Sequence, residues 1–162
     1  MHRGESAALL LEEHHRVFRR PGYTTTHDAV IPGYTVLDRR PDVMQIEATM
    51  AAGTAVMEML VHTAAGTLYV FPAIPEYWDN VRFDGIRTEG AFLVSAERIE
   101  GETAWVRVLS TATSHLRLET PFPGQRVRIH SNRAAEDTFA TGGVIEREME
   151  LGMELFLTAD SC

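Results

Sequence analysis

The sequence predicts an α+β fold in which an N-terminal helix pair is followed by an antiparallel β-sandwich. Two observations carry this prediction. Before residue 66, apolar residues recur at helical spacing or run together between helix breakers. After residue 75 the period changes to two, and six or seven short strands alternate with turn signals at near-regular spacing, which is typical of a sandwich. We therefore divide the chain into a helical segment, 1–66, and a sandwich domain, 67–162.

The first predicted helix runs from Ser6 to Arg20, where the dipeptide Pro21-Gly22 ends it. Its apolar stripe follows the i, i+3, i+4, i+7 rule and consists of Ala7, Leu10, Leu11, His14, Val17 and Phe18. Glu12 and His15 have the spacing of a carboxylate–histidine metal pair, but a helix-bundle site needs a second such pair and further glutamates. We interpret this face as polar and solvated, and expect neither a metal nor another cofactor.

Residues 22–43 show no periodicity and contain repeated glycine and proline breakers. A loop of ~20 residues is uncommon in a compact domain and is usually functional or disordered. This segment is rich in tyrosine and threonine and contains His27 and Asp28, a composition suited to hydroxyl-rich ligands. His27 and Asp28 are therefore candidate substrate contacts; alternatively, Asp28 closes a turn by bonding its own backbone.

The second predicted helix is a long apolar run that Gly66 closes, and we expect it to be buried on most of its circumference. Glu47 lies near its start. A carboxylate at the mouth of a buried helix is placed either to be paired or to do chemistry. Glu47 therefore pairs with an arginine such as Arg39 or Arg40, stabilises the helix N-terminus through its charge, or has a catalytic role.

The rest of the chain is predicted to form short strands. Alternation predicts strands near 92–97 and 104–109 with a hairpin turn at 100–102, two more near 116–118 and 127–129, and a last hairpin about Leu151-Gly152. A short apolar strand, 68–71, precedes them and stops at Pro72.

Two tryptophans stand out in the sandwich region. Arg126, Arg128 and His130 share one strand face, and if the tryptophans are exposed with them, the group could form an aromatic platform with a polar rim that binds carbohydrate. Alternatively, Trp78 and Trp105 are partly buried in the core. We expect Trp78 to pack at the junction between the helices and the sandwich.

Charge and composition exclude some function classes. The net charge of −8 argues against a nucleic-acid partner, which would need a basic surface, but it is compatible with a neutral sugar. No apolar run reaches the ~18 residues of a membrane span, so no membrane partner is expected. The N-terminus lacks the pattern of a signal peptide. One cysteine, Cys162, excludes an internal disulfide framework and leaves the compartment open.

Several motifs resemble the end of the catalytic domain in glycoside hydrolase family 95. These are inverting enzymes, α-L-fucosidases with some α-galactosidases, built on an α/α barrel of helix pairs. Gln45–Ala52 resembles the family's Gln-Ile-Asp-Gly-Asn-Phe-Gly, Met57–Leu60 its Ala-Glu-Met-Leu helix, and Phe71–Trp78 its Leu-Pro-Ala-Leu-Pro-x-x-Trp exit. Gly85–Phe92 resembles Gly-Leu-Arg-Ala-Arg-Gly-Gly-Phe, so the resemblance covers about residues 40–110.

The resemblance implies that the chain is the C-terminal fragment, or a reduced relative, of such an enzyme, and that its helix pair ends the α/α barrel. Glu47 stands where the family has the Asp that helps to activate the water, which implies a place on the base side. Thr49 replaces an Asn and is implied as a polar orienting group. The family's general acid lies far upstream, and no stretch here matches that region. We therefore expect the isolated chain to be inactive.

The alternative hypothesis is a non-catalytic β-sandwich that binds carbohydrate or acts as a scaffold. On the first hypothesis the parent enzyme binds fucosyl or galactosyl glycans, and His27, Asp28, Trp78 and Trp105 are the candidate contacts. Helices that line a barrel would expose apolar faces in this chain, so self-association is also expected.

Overall fold

The computed structural model describes residues 3–19 and 46–160. Within these ranges the chain forms two helices followed by ten strands, which confirms the α+β class. The elements are α1 (Gly4–Phe18), α2 (Ile46–Leu60), β1 (Val61–Ala64), β2 (Thr67–Val70), β3 (Val81–Thr88), β4 (Phe92–Ile99), β5 (Glu102–Ser110), β6 (Ser114–Glu119), β7 (Arg126–Ser131), β8 (Thr138–Thr141), β9 (Val144–Met149) and β10 (Glu154–Ala159). The predicted contacts His27 and Asp28, and the arginines Arg39 and Arg40, lie outside the described residues.

The strands form two sheets, in the orders β1-β2-β6-β9 and β3-β4-β5-β10-β7-β8. Neighbouring strands are antiparallel, apart from β2 and β6, which are parallel. The predicted hairpin about Leu151-Gly152 is wrong, because β9 pairs with β6 whereas β10 pairs with β5 and β7. Alternation along a strand shows which face is buried but not which strand is its neighbour, so the turn carries the chain from one sheet to the other.

The core lies between the two sheets and is formed by alternate residues of the strands. Val94, Val106 and Val108 of the larger sheet and Leu116 and Leu118 of the smaller one are fully buried. Apolar burial of this kind, at about 25 cal/mol per Å², is the main force that holds two sheets face to face.

Helix α2 is shorter and more exposed than the sequence predicts. It ends at Leu60, and the residues predicted to continue it form β1, which pairs with β2 around a turn at Ala65-Gly66. The predicted division at residue 66 therefore falls within a hairpin. The expectation that α2 is mostly buried is wrong, because α2 packs against α1 and β1 along one side and Met59 is its one buried residue.

Helix α1 packs with its first turn against the segment that joins β2 to β3. A side chain at Gly4 would overlap the backbone of Ile74 and Pro75, so the helix approaches this segment more closely than any residue but glycine allows. Ala8 and Val17 are buried further along α1. Neither helix of the described residues is long and apolar enough to cross a membrane.

Candidate functional site

The two candidate catalytic residues lie in the first turn of α2. Glu47 is exposed and Thr49 is half-buried. The partial positive charge at a helix N-terminus favours a carboxylate in this turn, which agrees with the predicted stabilising role of Glu47. Its exposed side chain is also accessible to a ligand.

Inverting hydrolysis requires two carboxylates about 6.5–9.5 Å apart. The other carboxylate of α2 is Glu58, eleven residues after Glu47. At 1.5 Å per residue, the two lie about 16 Å apart along the helix axis, which is too far for an acid–base pair. Glu47 and Glu58 therefore do not form such a pair with each other.

An apolar groove of about 720 Å³ lies between α1, α2 and the β2–β3 segment. Leu10 and Leu11 line it from α1, and the α2 wall consists of small residues at helical spacing, Ala48, Ala51, Ala52 and Ala55. Since Ala48 lies between Glu47 and Thr49 in the sequence, the groove begins beside the candidate catalytic turn.

Four ionisable side chains also line the groove: Arg3, His14, Glu58 and His62. The Nδ1 atom of His14 is buried and has no hydrogen-bond partner among the described residues. Burial lowers the pKa of the His14 imidazole below its ordinary value, and repulsion from His15 lowers it further. Among residues 3–19 and 46–160, no group of three or more histidine, cysteine, aspartate or glutamate side chains is arranged to hold a metal ion.

The segment before β3 connects α1 to the sandwich through hydrogen bonds. The backbone N–H of Glu76 donates to the Glu5 carboxylate at 2.6 Å, and the Tyr77 hydroxyl donates to Glu12 at 3.1 Å. Desolvation raises the pKa of the Tyr77 phenol, and the hydrogen bond to Glu12 raises it further. Trp78, half-buried, follows directly, so it lies in the junction segment between helix and sandwich.

The two tryptophans both lie beside Arg82. Trp78 and Arg82 line a pocket of about 570 Å³ at the start of β3. The guanidinium carbon of Arg82 is 5.7 Å from the centroid of the Trp105 ring. The indole N–H of Trp105 donates to the Glu97 carboxylate at 2.7 Å. Arg82 thus contacts the Trp105 ring and lines one pocket with Trp78.

Phe156 lies beside Trp105 on the outer face of the larger sheet, although the sequence pattern does not single it out. Its ring lies 5.7 Å from the Trp105 ring, with 23° between the planes, and the residue is 37% exposed. The alternation of buried Leu155 and Leu157 around it shows that Phe156 faces outward. The sequence does not reveal the link to Trp105, because its turn signals predict a hairpin of β10 with β9, whereas β10 lies between β5 and β7.

Arg126, Arg128 and His130 lie on one face of β7, as the sequence predicts, and that face is exposed. Asp160, whose side chain is only 10% exposed, joins the two arginines: the Arg128 guanidinium donates to it at 2.8 Å, and Arg126 Nε lies 3.5 Å from it. The Arg126 guanidinium also lies over the Phe139 ring, 4.0 Å from its centroid. These contacts fix the arginines at the β7–β8 end of the larger sheet.

Comparison with known proteins confirms the resemblance. The model of glycoside hydrolase family 95, C-terminal domain, matches residues 62–155, which is more than half of the chain. Over 58 residues the chain is 40% identical to alpha-L-fucosidase 2 of Arabidopsis thaliana, covering 35% of this chain and 7% of that protein. A solved GH127 beta-L-arabinofuranosidase from Geobacillus stearothermophilus T6 aligns with a TM-score of 0.37 and 15% identity, over 74% of this chain and 18% of that one. This chain therefore spans a small part of the length of each, and it belongs to glycoside hydrolase family 95, whose C-terminal domain it contains.

Proposed function

We propose that the chain is the C-terminal segment, or a reduced relative, of an inverting α-L-fucosidase-like glycoside hydrolase. The observation that carries the proposal is a helix pair with exposed apolar side chains attached directly to a family 95 C-terminal domain. Five large apolar residues of these helices are between 46% and 71% exposed: Leu9, Leu10, Ile46, Met50 and Met57. Apolar surface of this extent marks a face built to pack against something, and in the parent enzyme we expect further barrel helices to cover it.

In this proposal Glu47 belongs to the base side of the reaction and Thr49 orients groups beside it. Inverting hydrolysis places an acid and a base on opposite sides of the glycosidic bond, with a water between the base and the sugar. The separation of about 16 Å between Glu47 and Glu58 along α2 means that the acid must come from another element. We assign it to a region of the parent enzyme upstream of this chain, so the isolated chain does not turn over glycosides.

Fucosyl or galactosyl glycans are the proposed substrates of the parent enzyme. The named activity of the Arabidopsis relative supports the fucosyl assignment. Trp78 and Trp105, which share Arg82, are candidate contacts on the sandwich side. His27 and Asp28 remain candidate contacts on the strength of the sequence.

The test compares the isolated chain with the longest open reading frame that contains it, using nitrophenyl fucosides and galactosides. The longer protein should release nitrophenol and the isolated chain should not. In the longer protein, Glu47→Gln should lower kcat by about 10²–10⁴-fold, the range for loss of a general base. Glu47→Asp, which restores the family's residue type, should retain more activity.

A matched control is Glu150→Gln, in the exposed turn after β9, which should leave kcat unchanged. Turnover by the isolated chain that Glu47→Gln abolishes would contradict the proposed inactivity. If the longer protein keeps its full kcat after the Glu47→Gln substitution, the carboxylate of Glu47 has no part in the reaction and its proposed role is wrong.

We also propose that the isolated chain self-associates through its exposed helix faces. A second copy would cover the apolar groove and the leucines beside it. Light scattering at high concentration should show a dimer or larger species, and the double variant Leu10→Glu, Met50→Glu should shift it to the monomer. Leu151→Glu, in the β9–β10 turn and also 64% exposed, is the control and should not change the mass. A clean monomer of the unmodified chain would refute self-association.

A further inference from the structure

The outer face of the six-stranded sheet carries two adjacent rows of side chains that run across the strands. The first row, in the order of the strands, is Arg82, Glu97, Trp105, Thr158 and Arg128. The second row is Ser95, Arg107, Phe156 and His130. Each row therefore has one aromatic side chain near its middle with polar side chains on both sides of it, and the first row continues from Arg128 to a second aromatic residue, Phe139, on the edge strand β8.

The two aromatic side chains form one apolar surface at the centre of this face. The rings of Trp105 and Phe156 are nearly parallel, with 23° between their planes and 5.7 Å between their centroids. Neither is fully covered, since Phe156 is 37% exposed and Trp105 is half-buried. The Glu97 carboxylate accepts the indole N–H and so fixes the tilt of the Trp105 ring. A rigid aromatic surface of this kind suits the C–H face of a sugar ring, which is apolar and flat.

Hydrogen-bonding groups surround the aromatic pair in fixed positions. Arg107 lies 3.3 Å from the Asp84 carboxylate and 3.8 Å from that of Glu154. On the other side, the Nδ1 atom of His130 lies 2.9 Å from Asp137. These contacts hold the rim groups in place, so the rim offers donors and acceptors to hydroxyl groups. Arg107 already has two carboxylate neighbours, which leaves no unpaired cation there to select an anion.

We propose that Trp105 and Phe156 form a carbohydrate-binding platform on this face, which stacks one ring of a neutral glycan while Glu97, Arg107 and His130 bond to its hydroxyls. The choice of carbohydrate rests on the proposed function. The choice of a neutral glycan rests on the paired charges, because an anionic sugar would have to compete with Asp84, Glu97 and Glu154 for the arginines. The platform binds glycan and takes no part in bond cleavage.

The test is binding of the 162-residue chain to an array of neutral fucosylated and galactosylated oligosaccharides, with sialylated glycans as anionic probes. Hits are measured by titration calorimetry. Phe156→Ala should lower affinity at least tenfold, and Trp105→Ala should lower it at least as much. Phe139→Ala is the control. Phe139 is a similarly exposed aromatic residue on the same face, but it lies on β8, three strands from β5, and contacts Arg126 and Arg128 rather than the Trp105 or Phe156 ring; affinity should stay within twofold.

Thermal melting verifies that each variant is folded, and Phe156→Ala alone decides the question if Trp105→Ala unfolds, since Phe156 is an exposed outward-facing residue. Absence of binding to any neutral glycan, binding that Phe156→Ala leaves unchanged, or binding to sialylated glycans alone would each overturn the platform. The proposed function fails separately. A longer protein that hydrolyses fucosides while the chain binds no glycan would refute the platform. Platform-dependent binding by the chain, together with no hydrolysis by the longer protein, would refute the enzyme and leave the platform standing.

Discussion

Replacing Gly4 with alanine tests whether α1 is attached to the sandwich. The added methyl group would overlap the backbone of Ile74 and Pro75, which, unlike a flexible side chain, cannot rotate away. The helix must then move off the β2–β3 segment, which weakens the hydrogen bonds of Glu5 and Glu12 to that segment.

The magnitude follows from two opposing effects. Forcing a methyl group into a tight contact costs about 1–3 kcal/mol. The better helix propensity of alanine returns at most about 1 kcal/mol, and less at the first residue of a helix. We therefore expect a net loss of about 1–2 kcal/mol in the free energy of unfolding. For a chain of this size that corresponds to a Tm lower by about 2–8 °C.

Gly53→Ala is the matched control, because Gly53 lies in the exposed interior of α2 and a side chain there meets nothing within 4 Å. This variant should raise stability by about 0.5–1 kcal/mol. The assay is thermal melting together with hydrogen exchange of the α1 amides, which would detect local detachment of the helix. If Gly4→Ala leaves both the Tm and the α1 protection unchanged while Gly53→Ala is stabilising, the close contact of α1 with the sandwich does not exist.

Two further predictions concern the groove and the core. The pKa of His14 is lower in the folded chain than in the unfolded chain. As the pH falls below about 6.5, the unfolded chain therefore binds a proton at His14 before the folded chain does. The contribution of neutral His14 to the free energy of unfolding is complete above that pH and decreases as the pH approaches the lower pKa of the folded chain. Between about pH 7.5 and 5.5, the Tm of the His14→Gln variant should therefore decrease less than the Tm of the unmodified chain. An equal decrease would contradict this interpretation. Phe122 lies in the connection between β6 and β7 and is 1% exposed within the core. Phe122→Ala should lower the free energy of unfolding by about 3–5 kcal/mol in urea titrations, and a loss below about 1 kcal/mol would show that Phe122 is not packed in the core.

The sequence predicts the strands whose alternation is regular and misses those where tertiary contacts or bulges interfere. In β3 the register shifts between Phe83 and Ile86, around Gly85, whose φ is +66°, so the period of two is lost. The end of α2 is missed for another reason. The carbonyl of Leu60 accepts the N–H of Phe71 at 2.7 Å, and that of Met59 accepts the N–H of Ala73 at 3.3 Å. These bonds come from residues further along the chain, so the local apolar run does not reveal where the helix stops.

The candidate site residues also fall into two groups, those that the sequence alone indicates and those that depend on which strands are neighbours. Glu47 and Thr49 are proposed from their motif, which can be recognised from sequence alone, and their catalytic role stays a prediction. Trp105 is found as a rare residue on a strand, but its partner Phe156 depends on which strands are neighbours. That arrangement arises from the crossing of the chain between sheets after β9, which no local pattern encodes.

The position of β10 has a consequence for synthesis on the ribosome. Strands β5 and β7 leave the ribosome before β10, yet β10 lies between them in the finished sheet. Until β10 has left the exit tunnel, β5 and β7 each keep an edge of unpaired backbone groups, which is open to pairing with another nascent chain. Local hairpins such as β4–β5 can form early, but closure of the sheet must wait for nearly the whole chain, which makes this interval the one in which chaperones would matter most.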